Sequence, residues 1–362
     1  MTKLDTIISD INKKKKYKLI GNGILEKNIQ KIPFTSERLN YMTYGGIPRG
    51  CITEFAGIES SGKTTTALDI VKNAQILFQK EFDSQMEKDA DALKNKTVKR
   101  VIYADCENTL DEKWARLLGV DIDNMIIINP QQESAEEIFE TLLQLLESGE
   151  VGLMVIDSLG VLVSQQAYEK TIEQKTYGGI SMALTLFSKK AVMLCQKTDA
   201  TIIGINQVRA DLASPYGGLT TTGGKAWRHN CTLRLLFDKG RYLNEKNEEI
   251  SSAKAINPSG NIVNIAIEKT KSCRPDRRRG LYYLNYKHGV DYISDLIELA
   301  LLEEIITQKG AYYYFYNEND EVINHNGEDL VFQGKERLRD FLKNNNDFTI
   351  ELTDNLRQLY KS

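Results

Sequence analysis

Residues 51–64 read CITEFAGIESSGKT. Five of the first six residues are apolar or β-prone. The last eight match G-x-x-x-x-G-K-[ST] through Gly57, Gly62, Lys63 and Thr64. TTTALDIVKNAQILF follows with helical spacing. The stretch therefore predicts a strand, a phosphate-cradling turn and a helix start. Glycines let backbone N–H groups wrap phosphate oxygens, and a helix N-terminus favours an anion. Lys63 is placed to reach the β and γ phosphates, and Thr64 to hold Mg2+. Gly57, Glu59, Ser60, Ser61, Gly62, Lys63, Thr64 and Thr65 are the candidate residues for ATP with Mg2+. A glycine-rich turn alone can arise by chance; a strand before it and a helix after it make the match specific.

The second half of such a site lies in LMVIDS, residues 153–158. Four apolar residues carry Asp157 to a strand end, where it can orient the metal shell with Thr64. VIYADCENTLD, residues 101–111, puts Asp105 and Glu107 at the end of another strand. A carboxylate there can polarise an attacking water; its plainer reading is a helix cap or a surface acid. Strand candidates CITEFAG, RVIYAD, NMIIIN, VGLMVID and TIIGIN alternate with helical stretches. That alternation predicts a mostly parallel sheet covered by helices on both faces. CTLRLLF, NIVNIAIEK and LYYLNYK then read as antiparallel strands extending it. The charged stretch 80–100 reads as a surface insertion, and the chain after 293 as helix, hairpin and helix.

Composition sets wider limits. With 41% hydrophobic and 27% charged residues and a net charge of −3, the 362-residue chain is an ordinary globular one. Any nucleic-acid contact must rest on a local patch. The five cysteines contain no CxxC pair, which points to reduced thiols rather than a zinc site or a disulfide frame. No apolar run reaches about 18 residues, so no membrane span is expected. The basic run of the N-terminus follows its apolar residues, opposite to a secretory signal, and the location expected is cytoplasmic. Leu4, Ile7, Ile8 and Ile11 mark a short amphipathic helix that needs something to pack on.

INQVRADLASPYGGLTTTGGKAWRHN, residues 205–230, is a long Gly/Thr-rich loop rooted in Asn206 and Gln207. Loops of this length are usually functional or disordered.

Together these segments resemble the RecA family of homologous-recombination ATPases, from about residue 20 to the end. GIESSGKTTTALDIV resembles its P-loop, ADCENTLDEKWARLLGVDIDN the segment with the catalytic glutamate and adenine contacts, and VIDSLGVLV its second metal strand. INQVR with TTTGGKAWRHNCTLRL resembles the second DNA-binding loop, and KTYGGISMALTLFSKKA the first. The resemblance implies that Glu107 activates water, that Asp111 and Trp114 contact adenine, and that Gln207 senses the γ-phosphate. It implies that Lys269 and Lys271 reach the ATP of a neighbouring protomer. It places DNA contacts at Lys190, Arg209, Leu212, Thr222, Gly223, Gly224 and Lys225, and a coupling role at His229. Several positions depart from the pattern: Ile58 for proline, Gly178 and Ala183 for bulkier or basic residues, and Asp211 for a base. These mark a divergent member of the kind a phage or plasmid carries.

The expectation is an α/β fold, a RecA-type P-loop NTPase core with a mostly parallel twisted sheet flanked by helices. Its segments would be an N-terminal oligomerisation helix and linker (1–33), the ATPase core (34–292) and a small α+β C-terminal domain (293–362). The implied function is a DNA-dependent ATPase that forms helical filaments on single-stranded DNA and pairs it with homologous double-stranded DNA. A hexameric helicase on the same core and a non-hydrolysing mediator are the alternatives. TTTGG with its NQ root and the tail after 300 speak against the first. Glu107, Lys63 and Asp157 together speak against the second.

Overall fold

The computed structural model describes residues 3–13, 29–89, 97–169, 179–210, 219–317, 321–325 and 327–361. The chain divides into two compact units, Met1–Gln30 and Lys31–Ser362. In the first, Lys3–Lys13 is helical, with Leu4 and Ile7 exposed.

The larger unit is built on a sheet of 11 strands among the described residues. Six run parallel, in the order 233–243, 52–57, 201–210, 151–157, 100–105, 125–128. Strands 260–270, 279–285 and 289–290 continue the sheet antiparallel beyond 233–243. CTLRLLF is thus corrected: it pairs parallel with the P-loop strand, and the antiparallel extension begins one strand later.

Side chains alternate across this sheet as strand geometry requires. Phe55, Leu153 and Val155 join one core with Leu68, Val71 and Phe78 of the helix Lys63–Lys88. Ile52, Met154 and Ile156 join the core on the other face with Phe139, Phe187 and Trp227. Phe139 and Phe187 stack at 4.5 Å and lock helix Ala135–Glu147 to helix Ser181–Thr198. Ser134 and Glu137 form a capping box at the start of the former.

The helix after the P-loop runs to Lys88, further than its apolar spacing predicts. Residues 80–88 of the expected insertion, KEFDSQMEK, thus continue the helix after its buried face ends. Residues 90–96 of that stretch lie outside the described residues. The tail forms a separate cluster around Leu296, Phe315, Leu338 and Leu356. The expected hairpin there is a three-stranded sheet of Ile306–Lys309, Tyr312–Phe315 and Val331–Gln333. The last helical stretch divides into Lys335–Asn344 and Asn346–Lys361.

Candidate active site

The parallel strands bring their carboxyl ends together, which is where open α/β sheets bind ligands. Strand Ile52–Gly57 delivers the turn 58–62, and helix Lys63–Lys88 leaves it. Gly62 sits at φ 92°, a left-handed conformation that glycine adopts without a Cβ penalty. At Gly57 a Cβ would lie 2.5 Å from the carbonyl oxygen of Phe237, so only glycine fits. The Lys63 Nζ folds back onto this turn, donating to the carbonyls of Gly57 (3.0 Å) and Ile58 (2.5 Å). Burial lowers its pKa, while Asp157, Glu107 and Glu59 oppose the shift.

Thr64 donates from Oγ1 to Asp157 Oδ2 at 2.8 Å, and Tyr103 donates its hydroxyl to the same oxygen at 2.7 Å. Burial raises the Asp157 pKa; nearby Glu107 and Asp105 push the same way, and the two hydroxyls oppose it. Ser158 donates its hydroxyl to Glu107 Oε1. The two candidate acids of strand 100–105 and its turn therefore separate. Asp105 is buried and holds the turn, accepting from the backbone N–H of Thr109 and Leu110, so it is neither a helix cap nor a surface acid. Glu107 stands over Ser158.

Asp111 caps helix Glu112–Leu117, accepting from the N–H groups of Lys113 and Trp114. Trp114 in turn donates from Nε1 to Thr65 Oγ1 at 3.4 Å, which ties this segment to the P-loop helix. Beside the P-loop lies a cleft of about 290 Å³ lined by Ser60, Ser61, Gly62, Lys63, Thr64, Thr65, Lys239, Asn261, Leu284 and Tyr286. Tyr286 donates its hydroxyl to Asn261 Oδ1 at 2.8 Å. Tyr103, Lys239, Asn261 and Tyr286 were missed by the sequence reading. The signal for Tyr286 was its place at the end of LYYLNYK, a strand reaching the P-loop edge.

Of the segment 205–230, residues 205–210 continue a strand, 219–221 form a second strand and 224–230 a helix. Strand Thr201–Ala210 runs past Gln207, which sits beside Gly57 in the parallel register. It returns as Leu219–Thr221, with Arg209 opposite Thr220. Asp211 and Leu212 lie outside the described residues, as does Gly178 of the first loop. Thr222, Gly223 and Gly224 lead into helix Gly224–Asn230, on which Lys225 and His229 are exposed. Lys190 lies elsewhere, facing helix Ala135–Glu147 with an exposed ion pair to Glu140 at 3.7 Å. Lys269 Nζ donates to the carbonyls of Arg228 and His229, both at 2.7 Å, and Lys271 Nζ to His229 at 3.2 Å. Within its own protomer this pair caps the end of helix Gly224–Asn230.

Charge and shape fit the groups the sequence calls for. The turn has the glycine clearance and the lysine a phosphate chain needs. Thr64 and Asp157 offer the one-carboxylate oxygen set of a Mg2+ shared with phosphates. All five cysteines are free thiols, and burial pushes those of Cys106 and Cys195 up to about 12. No helix among the described residues is long and apolar enough to cross a membrane.

A P-loop between a central parallel strand and a helix, facing an acid at the end of a second strand, defines a P-loop nucleotide-binding α/β protein. Residues 2–275 match the RecA N-terminal domain and residues 294–361 the RecA C-terminal domain. Protein RecA of Thermotoga neapolitana is 29% identical over 344 residues, covering 94% of this chain and 87% of that one. Protein RecA of Petrotoga mobilis is 30% identical over 342 residues, 94% and 83% of the two chains. Protein RecA of Phytoplasma mali is 29% identical over 348 residues, 95% and 90%. The chain belongs to the RecA family.

Proposed function

We propose that this protein is a DNA-dependent ATPase that polymerises on single-stranded DNA and pairs it with homologous duplex. The observation that carries this reading is the register of Gly57 beside Gln207. The P-loop and the Gly/Thr segment leave the sheet from neighbouring strands, so a phosphate on one is within reach of influencing the other.

In this reading the turn 57–62, Lys63 and Thr65 hold the phosphates, while Thr64 and Asp157 hold Mg2+. Asp111, Trp114 and the Tyr286 cleft flank the base. Mg2+ neutralises charge on the transferred phosphoryl group. Glu107, held by Ser158, accepts the proton of the attacking water. Gln207 reports the γ-phosphate to the segment 209–224, an order–disorder switch of the kind phosphates drive elsewhere. Arg209, Lys225 and the backbone of Thr222, Gly223 and Gly224 then meet DNA phosphates. Such contacts position a strand without reading its sequence, as a protein that pairs any homologous strand requires. Lys269 and Lys271 reach across to the neighbour's nucleotide, His229 lies at the same junction, and the helix Lys3–Lys13 packs on the adjoining protomer.

Imaging the protein with single-stranded DNA and a non-hydrolysable ATP analogue tests the reading. Extended helical filaments are expected. Closed six-membered rings would give the helicase reading instead, and isolated protomers would reject both.

A further inference from the structure

Three residues before the P-loop, Glu54 is fully buried, and the nucleotide site makes no use of its carboxylate. Oε1 accepts from Asn206 Nδ2 and from Trp227 Nε1, both at 2.9 Å. Oε2 accepts from Arg234 Nε at 2.5 Å. The same Asn206 Nδ2 donates to the carbonyl of Thr222 at 2.8 Å. One side chain on the P-loop strand is thereby joined to both flanks of the segment 207–224 and to the short helix after it. The second arm of Arg234 pairs with Glu268 at 2.9 Å, next to Lys269.

Packing alone does not call for this arrangement. An apolar residue would fill the position, and a buried carboxylate is costly unless fully partnered. The surroundings are also shaped to admit the contact. Glu54 faces Gly204 across the parallel register, and a Cβ at Gly204 would lie 2.6 Å from the Trp227 ring. The bare strand lets the indole cross over it and aim its N–H at Glu54. The Glu54 carboxylate is itself fully partnered, although Asn206 Oδ1 has no hydrogen-bond partner among the described residues. A shift of Glu54 therefore leaves at least one of its three donors unpaired in a low dielectric.

We infer that Glu54 is a positioning residue that carries the nucleotide state of the P-loop to the segment 219–230. This rests on the nucleotide-site reading above. A displacement of strand 52–57 on nucleotide binding moves the carboxylate, and its hydrogen bonds drag Asn206, Thr222 and Trp227 with it. Glu54→Gln keeps the volume but replaces one acceptor oxygen with a donor amide, so at least one of the three donors then faces a donor.

The test compares wild type, Glu54→Gln and Trp227→Phe by amide hydrogen exchange of residues 219–230, with and without a Mg2+-bound non-hydrolysable ATP analogue and without DNA. Analogue affinity is measured alongside. In the wild type the analogue is expected to slow exchange in this segment. Glu54→Gln should bind the analogue as well as wild type and lose the slowing. A purely structural role would instead raise exchange equally in both states. If Glu54→Gln does not fold, Trp227→Phe decides, since it keeps an aromatic side chain, smaller than the indole, and removes the N–H that reaches Glu54; it should weaken the slowing. Slowing equal to wild type in the folded variants, or binding without slowing in the wild type, overturns the coupling. Failure of the wild type to bind the analogue rejects the nucleotide reading itself, and the coupling with it.

Discussion

The hydroxyl of Thr64 donates to Oδ2 of Asp157 at 2.8 Å, joining residues 93 positions apart in the chain. The helix that leaves the phosphate turn and the strand that supplies the acid are thereby fixed to each other.

Asp157 is held above its ordinary pKa chiefly by burial. The folded state therefore binds this proton more tightly than the unfolded state. Stability is favoured at low pH and falls as pH rises from the unfolded value of about 4 through the folded one. Asp157→Asn keeps an acceptor for Thr64 and Tyr103 and removes the buried charge. Its thermal midpoint without ligand should exceed wild type at pH 7 and converge with it on acidification, while Mg2+-dependent ATP turnover is lost. A lower midpoint at pH 7 would contradict the assignment.

Glu107→Gln retains an acceptor for the Ser158 hydroxyl, so folding and analogue binding should persist. Turnover with single-stranded DNA should drop by about 10²–10⁴, the usual loss of a general base. Phosphate release measures it, and wild-type rates would remove Glu107 from the role of general base.

Lys63→Ala removes two hydrogen bonds to P-loop carbonyls. The stability loss should be about 1–2 kcal/mol, read by denaturant titration. ATP hydrolysis should vanish. Surviving DNA-stimulated hydrolysis would move the site elsewhere.

Lys269→Ala removes two of the three lysine cap bonds at the end of helix Gly224–Asn230, leaving Lys271 on His229, and, in the proposed filament, removes a cation from the neighbour's site. Each of Lys63→Ala and Lys269→Ala should be inactive alone. A mixture should regain part of the turnover, because some interfaces then carry an intact Lys63 and an intact Lys269. No recovery on mixing would confine Lys269 to its capping role.

Gln207→Ala should leave hydrolysis without DNA near wild type while ATP no longer strengthens binding to single-stranded DNA. The comparison is made by fluorescence anisotropy at one fixed salt, since such affinities fall steeply with salt. ATP-enhanced binding equal to wild type would remove Gln207 from the switch.

The phosphate turn and Asp157 are signalled in the sequence by their immediate neighbours, glycines at fixed spacing and an apolar run ending in an acid, whereas between Asp105 and Glu107 only the family resemblance chooses. Tyr103, Tyr286 and Glu54 were not legible in the sequence, since their roles arise from strand register. Glu54 in CITEFAG reads only as a strand residue; that Asn206, Trp227 and Arg234 converge on it follows from strands 201–210 and 233–243 flanking 52–57. The same cause hid the parallel pairing of 233–243, as pairing partners are not written in local periodicity. Asp111 shows the reverse: an adenine contact was implied by resemblance, while the capping bonds its position also makes were overlooked.

The caps at Arg228 and His229 have a thermodynamic consequence. An ammonium has three protons, and Lys269 already commits two of them to its own chain. In the proposed filament, a phosphate across the interface would compete with those carbonyls, so pulling Lys269 away would loosen the helix end that carries His229. The linkage would be reciprocal: a strand of DNA that reshaped this helix would alter how tightly the adjoining protomer retains its nucleotide, by the same factor and with no contact between the two ligands.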